Sequence, residues 1–247
     1  LSETAPALGF EGVHFAYPGG PSVLKGLDCA VPGGVLGILG NNGAGKSTVL
    51  KLAAGLTDPD RGRVRVWGRD ARRGAARPLT AFLPESLEVD GKLTPAEFLG
   101  FAARIRGVPA PDAAVGDLLE RLGAGADRDR LIRGLSFGAR RKVGLAAALL
   151  GDAPLLVLDE PGTGLDVASL DAVEGLIRER VEHGGAVVLS SHDMGFVART
   201  CERLVVLTGG GEARTGTPRT LRAETGAADL HHAFMAITGA AEPAGRA

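Results

Sequence analysis

The sequence predicts an α/β fold, with parallel strands carrying helices on their faces. Three observations carry that prediction: short apolar runs alternate with helical periods from Ser136 onward, a glycine-rich loop at residues 40–45 joins an apolar strand to a helix, and strand signals vanish between about residues 87 and 135, where two amphipathic helices take over. With 247 residues and a 45% hydrophobic fraction, the chain can build one ordinary-to-large domain bearing a small insertion. Its 38 glycines show no three-residue period and its charges are spread along the chain, which excludes a collagen-like repeat and intrinsic disorder. No internal repeat is visible, so one such unit is expected per chain.

Each element follows from its residues. Phe10, Val13 and Phe15, then Val23, Leu24 and Leu27, alternate weakly around Tyr17-Pro-Gly-Gly and read as antiparallel strands. The run from Val35 to Leu39 is a short apolar strand that feeds the glycine-rich loop, and the helix Lys46–Ala54 is stopped by Gly55. Residues 63–67 alternate polar and apolar as a strand with one wet face, and Leu79–Leu83 reads as a buried strand. In the insertion, Thr94-Pro-Ala-Glu97 is a capping box before Phe98, Leu99, Phe101, Ala102 and Ile105, with Gly107 as the stop; Leu118, Leu119 and Leu122 repeat the pattern before Gly123. The chain then predicts a helix to Leu150, a strand Leu155–Leu158, a helix Val167–Val181, a strand Ala186–Ser190, a helix Met194–Cys201 and a strand Leu204–Leu207. A turn at Gly209–Gly211 and a helical stretch near Asp229–Ile237 finish it, before a loose tail after Gly239.

Charge and cysteine content narrow the function classes. The formal net charge of −1 gives the whole chain no reason to seek nucleic acid or an anionic membrane. The basic run at Arg61, Arg63, Arg65, Arg69, Arg72, Arg73 and Arg77 is read as a solvated face, since this chain uses arginine as its general basic residue. Cys29 and Cys201 are isolated, without metal-ligand spacing or a disulfide framework, which fits a reducing cytosol. No apolar run reaches the roughly 18 residues needed to cross a bilayer. The start, Leu1-Ser-Glu-Thr, has no basic or apolar signal region, so no secretory signal is expected, and its lack of methionine is read as a trimmed or renumbered terminus.

Two motifs carry chemistry on their own residues. Gly40-Asn41-Asn42-Gly43-Ala44-Gly45-Lys46-Ser47 fits the pattern of two glycines five apart followed by Lys and Ser or Thr, which this composition would produce by chance about 0.01 times. A strand before the loop and a helix after it let successive amides form an anion nest reinforced by the helix N-terminus. Lys46 would lie against the terminal phosphates of a nucleotide and Ser47 would ligate Mg²⁺. The second motif is the apolar strand that ends in Asp159 and Glu160, at the edge where a parallel sheet opens its crevice. Asp159 is read as the magnesium-linked residue and Glu160 as the general base. Ser136, followed by Gly138, opens another helix; its residues alone fit either a second anion-friendly helix start or an ordinary serine cap.

In their order, the loop Gly40–Thr48, Leu135-Ser136-x-Gly138, Asp159-Glu160-Pro161, Gly164-Leu165-Asp166 and Ser190-Ser191-His192-Asp193 together resemble the nucleotide-binding domain of the ABC (ATP-binding cassette) ATPases over about residues 8 to 225. The resemblance implies a P-loop NTPase fold with a RecA-like core (residues 1–86 and 136–225), an N-terminal antiparallel β subdomain, an inserted helical subdomain (87–135) and a short C-terminal helix and tail (226–247). It implies ATP and Mg²⁺ as ligands. Tyr17 falls where the family places an aromatic that stacks on adenine, a contact of roughly 1–3 kcal/mol elsewhere. Ser136 and Gly138 would contact the γ-phosphate of ATP held by a second subunit, Asp166 would lie in the loop crossing between the two sites, and His192 would contact the γ-phosphate.

Two departures stand out. Phe137-Gly138-Ala139 replaces the usual Gly-Gly-Gln, and Glu85 stands where the family has a glutamine that approaches Mg²⁺. The segment at Glu85 and the closing residues 233–239 are similar to export-type members. The resemblance therefore implies an ATPase on the inner face of the cell membrane, dimeric with itself or a related subunit and docked through residues 88–133 on a separate transmembrane permease. The rival readings are a soluble ABC-type ATPase acting on nucleic acid, ribosomes or cluster assembly, and a binding module with an inactive site.

Overall fold

The structure, a computed structural model, describes residues 5–72, 74–86 and 89–239. Residues 1–4, Arg73, residues 87 and 88 at the start of the expected insertion, and the tail beyond Gly239 lie outside them. Strands β1 (Leu8–Ala16) and β2 (Ser22–Val31) form an antiparallel hairpin whose turn is closed by Gly20 N donating to Tyr17 O at 2.9 Å. Strand β3 (Gly34–Gly40) then leads through the glycine-rich loop into α1 (Lys46–Ala53). Strands β4 (Arg61–Val66) and β5 (Arg69–Asp70) complete a four-stranded antiparallel sheet in the order β2-β1-β4-β5.

The rest of the chain builds the second sheet and its helices. Strand β6 (Thr80–Leu83) is followed by α2 (Pro95–Ile105), α3 (Pro111–Arg121) and α4 (Phe137–Leu149). Strand β7 (Leu155–Asp159), α5 (Val167–Glu182), β8 (Ala186–Ser190), α6 (Met194–Thr200) and β9 (Arg203–Leu207) follow in alternation. Strand β10 (Ala213–Gly216), α7 (Pro218–Thr225) and α8 (Leu230–Thr238) close the fold. The sheet order is β10-β9-β3-β8-β7-β6, parallel throughout except for the β10 edge. This is the mixed α/β architecture expected from the alternation of apolar runs and helical periods.

The period of two along each central strand divides its side chains between two apolar layers. Leu36, Ile38, Leu155, Val157 and Val188 face α1 and the antiparallel sheet, whereas Val35, Leu39, Leu156, Leu158 and Leu189 face the other helices. Helix α1 is wedged between the sheets because Val49, Leu50, Leu52 and Ala53 are all buried. Burying each of its larger aliphatic side chains stabilises by about 1.5–3 kcal/mol, and that packing fixes the loop at its N-terminus. On the other layer, Leu99 and Ala103 of α2 and Leu118 and Leu119 of α3 join the same cluster as Leu156 and Leu158, so these helices share the main core. Leu230 and Phe234 of α8 join it as well.

Several boundaries moved. The Thr94 and Glu97 capping box is present in both directions, but the strand expected at 63–67 runs from Arg61 to Val66. Trp67 leaves it at φ 49 in a turn with Gly68, where the alternating pattern no longer reports the backbone. Leu79 belongs to a 3₁₀ turn that precedes β6. Helix α7 carries few apolar residues, only Leu221 being buried, and has no counterpart in the sequence reading; a reciprocal cap between Thr217 and Thr220 starts it. Of the basic run, Arg61, Arg63, Arg69, Arg72 and Arg77 are exposed, and Arg65 is half-buried and paired with Glu11 at 2.9 Å.

Candidate nucleotide site

Parallel pairing brings the carboxyl ends of β3, β6, β7 and β8 to one edge, with Asp159 opposite Ser190 in the register of β7 and β8. A cleft of about 540 Å³ opens there. It is lined by the loop and first turn of α1 (Asn42, Gly43, Gly45, Lys46, Ser47, Thr48), by Tyr17 and its turn, and by Glu85, Asp159 and Glu160. A larger cleft, about 970 Å³, lies at the other end of β6 and β7. Its walls are committed to structure: Arg106 donates to the carbonyls of Ala147 and Leu150 and Arg180 to that of Gly151, at 2.7–2.8 Å, closing the C-terminus of α4.

The loop is shaped by Gly45, which sits at φ 104 as the N-cap of α1; a Cβ there would lie 2.5 Å from Val23 Cγ1. No side chain caps this helix and no acidic residue occupies its first turn, so its amides and positive dipole end face the cleft. Lys46 Nζ donates to the carbonyls of Gly40 at 2.9 Å and Asn41 at 3.4 Å, which folds the ammonium back over the loop. Ala44 N donates to Asn41 O at 3.0 Å and tightens the turn. Across the cleft, Tyr17 stands edge-on to Phe15 with ring centroids 5.0 Å apart, and its hydroxyl is 3.1 Å from Thr48 Oγ1.

The two carboxylates are buried and differently held. Asp159 Oδ1 accepts from Ser190 Oγ at 2.6 Å, and the same oxygen of Ser190 accepts from Glu160 N at 2.9 Å. Glu160 adopts φ 51, a left-handed conformation that costs a non-glycine residue on the order of 1–3 kcal/mol and persists only where neighbours enforce it. Its Oε2 lies 2.8 Å from His192 Nδ1 and accepts more weakly from His192 N at 3.3 Å. Because a carboxylate only accepts, the imidazole proton sits on Nδ1 and leaves Nε2 available. His192 is exposed and touches the cleft through Glu160 rather than lining it.

Ser136, Gly138 and Asp166 are not brought to this cleft. Ser136 caps α4 by accepting from Ala139 N at 3.2 Å. Gly138 lies so close to the 162–166 loop that a Cβ would stand 2.6 Å from Gly164 O, and the Phe137 ring covers Gly164, itself at φ 76. Asp166 caps α5, accepting from Ser169 N at 2.8 Å and Ser169 Oγ at 2.7 Å. Those bonds, with the Lys142 ammonium 3.4 Å away, hold its carboxyl down at about 2. The start of α4 is thus locked to the loop before α5, separately from the loop before α1.

The sequence reading gave no role to two residues of this site. Ser190 joins both carboxylate residues, as described above. Arg141 is buried, and its guanidinium donates to the carbonyls of Pro84 at 2.8 Å, Glu85 at 2.9 Å, Glu160 at 2.7 Å and Asp159. Burial opposes its charge, while Asp159, Glu160 and Glu85 favour it. A signal was present, since Arg141 shares a helical face with Leu145 and Ala148, where an apolar residue is due.

Ser47, Glu85 and Asp159 offer a hydroxyl and carboxylates, all hard oxygen donors. Among the described residues no group of three His, Cys, Asp or Glu side chains could hold a metal alone. Magnesium fits that pattern, because it is commonly held by one or two carboxylates together with substrate phosphates.

Comparison with known proteins shows the family. A family profile described as "ABC transporter" matches residues 24–163. The chain is 35% identical over 212 residues to the daunorubicin/doxorubicin resistance ATP-binding protein DrrA of Streptomyces peucetius, covering 84% of this chain and 64% of that protein. It is 34% identical over 233 residues to the Nod factor export ATP-binding protein I of Paraburkholderia xenovorans, covering 92% and 76%. A solved structure of an ATP-binding subunit of an ABC transporter superposes with TM-score 0.86 at 28% identity, over 94% of this chain and 99% of that one. The chain belongs to the ABC transporter family, as an ATP-binding cassette of the kind that hydrolyses ATP.

Proposed function

We propose that this chain is the ATP-hydrolysing subunit of an ABC transporter, closing with a second such subunit over MgATP and driving transport through separate membrane subunits. One observation carries the reading: the loop amides, Lys46 and Ser47 share a single cleft with Glu85, Asp159 and Glu160. Residues 40–48 hold the triphosphate, with Lys46 released from the Gly40 and Asn41 carbonyls to meet its terminal oxygens, and Tyr17 supports the adenine. Ser47, Asp159 and Glu85 would hold Mg²⁺, which when bound neutralises charge building on the phosphates. Glu160 orients the attacking water and takes its proton. His192 fixes Glu160 through Nδ1 and presents Nε2 toward the γ-phosphate.

A second subunit supplies the rest. Ser136 and Gly138 lie outside the cleft of their own chain, and one chain carries one loop and one such helix start, so their γ-phosphate contact is made across a dimer, with Asp166 between the two sites. No described helix is long and apolar enough to cross a membrane, and in this reading the permease is a separate subunit. Residues 88–133 carry its dock: within them, Phe101 and Ile105 of α2, one turn apart, are 63% and 70% exposed. In this reading residues 1–86 and 136–225 form the core, residues from 226 the C-terminal helix and tail, and the subunit works at the cytoplasmic face.

A paired experiment tests the reading, with ATP affinity and phosphate release measured on each variant. Lys46→Ala loses nucleotide binding, while Glu160→Gln keeps it and slows turnover by about 10²–10⁴-fold, the range for loss of a general base. Retained affinity in the first variant or unchanged turnover in the second refutes the assignment.

A further inference from the structure

The hydrogen-bond ladder between β6 and β7 has its last pair at Leu83 and Leu158. Beyond it the two strands run on as Pro84 and Glu85 on one side and Asp159 and Glu160 on the other, and the Arg141 guanidinium binds all four carbonyls. Only a planar fork of several donors can take up four acceptors in this way; an ammonium has three donors and no fixed plane. Burying a guanidinium on carbonyls alone is a costly way to fasten two segments. It stands beside one of three non-glycine residues with positive φ among the described residues: Glu160 is held at φ 51 with its amide on Ser190 Oγ and its carbonyl on Arg141.

We propose that Arg141 is a positioning residue for hydrolysis, clamping the Glu160 peptide so that its carboxylate stays aimed into the cleft, and tying that peptide to the Glu85 segment and to α4. The proposal rests on the assignment of Glu160 as the base. Without the clamp, the Glu160 carbonyl is released and the residue relaxes toward negative φ, which turns its side chain away from its present contacts with His192. The phosphate-binding loop is not part of the clamp, so nucleotide affinity survives. Arg141 also stands five residues after the cap Ser136 on one helix, so any movement imposed on the start of α4 is delivered to the peptides of Asp159, Glu160 and Glu85.

The test compares Arg141→Met and Arg141→Lys with Leu149→Ala, a buried aliphatic truncation at the far end of α4, and with Glu160→Gln. Melting temperature, ATP affinity and the kcat and KM for MgATP hydrolysis are measured for each. Arg141→Met is expected to lower kcat by about 10–100-fold, the usual loss when a group that orients a reactive ligand is removed, with ATP affinity within about three-fold of the parent. Arg141→Lys restores part of kcat, and Leu149→Ala lowers the melting temperature without a comparable loss of kcat. If Arg141→Met does not fold, Arg141→Lys decides, with a kcat loss above about three-fold at unchanged affinity expected. Parent-like kcat in the folded Arg141 variants, alongside an inactive Glu160→Gln, overturns the clamp and leaves the base assignment standing. So does a loss of kcat that merely follows melting temperature as in Leu149→Ala. Turnover retained by Glu160→Gln removes the base assignment itself.

Discussion

Replacing Ser190 by Ala removes one buried oxygen that serves both carboxylate residues. Ser190 is fully buried; its hydroxyl accepts from Glu160 N at 2.9 Å and donates to Asp159 Oδ1 at 2.6 Å. A neutral hydrogen bond contributes about 0.5–1.5 kcal/mol and one to a charged group about 1.5–3 kcal/mol. Alanine fills the site apart from one atom, so the loss is expected near 3 kcal/mol, with little cavity contribution. For a chain of this length each kcal/mol moves the melting temperature by roughly 2–4 °C, which places the variant about 6–12 °C below the parent. Ser191→Ala is the comparison. Its hydroxyl accepts a single bond, from Asp193 N at 3.1 Å, so its loss is about 1 kcal/mol and its shift about 2–4 °C. Thermal unfolding followed by circular dichroism measures both. A Ser190→Ala protein that melts within 2 °C of the parent, or no lower than Ser191→Ala, refutes the claim that this hydroxyl holds the strand ends together.

Two further outcomes follow from the site. The Asp166 carboxyl is held down at about 2, first by its bonds from Ser169, so its cap stabilises fully above the ordinary value of 3.8 and is lost as pH falls toward 2. The difference in urea midpoint between the parent and Asp166→Ala should therefore be constant from about pH 7 to 5 and shrink below about pH 4; a difference undiminished at pH 3 contradicts this. Glu85→Gln removes a carboxylate from the cleft that contains Asp159 and Ser47, so the Mg²⁺ concentration for half-maximal hydrolysis should rise; superimposable metal titrations would dismiss a role for Glu85 at the ion.

The parts of this fold legible in sequence are those where one local pattern decides the outcome. Pro154 to Leu158 is a continuous apolar run of strand length, and Gly43 and Gly45, at φ 81 and 104, supply the positive-φ backbone of the loop before Lys46. What escaped depends on partners far along the chain. On helix α4 the alignment of Arg141 with buried Leu145 and Ala148 points it inward, but nothing local to the helix names what it meets there. The carbonyls Arg141 binds lie 18 to 57 residues away. Ser190 looked like the polar end of a strand until the register set it beside Asp159. Ser136 and Gly138 lie apart from the cleft; the contact across two chains proposed for them comes from family resemblance, which their spacing alone does not supply.

The most direct measurement is a structure determined with Mg²⁺ and a non-hydrolysable ATP analogue. The account predicts the triphosphate against the amides of residues 43–48, the metal within reach of Ser47 and Asp159, and Ser136 of a second copy over the γ-phosphate. Nucleotide bound elsewhere, or a cleft closed by side chains at saturating analogue, would contradict it.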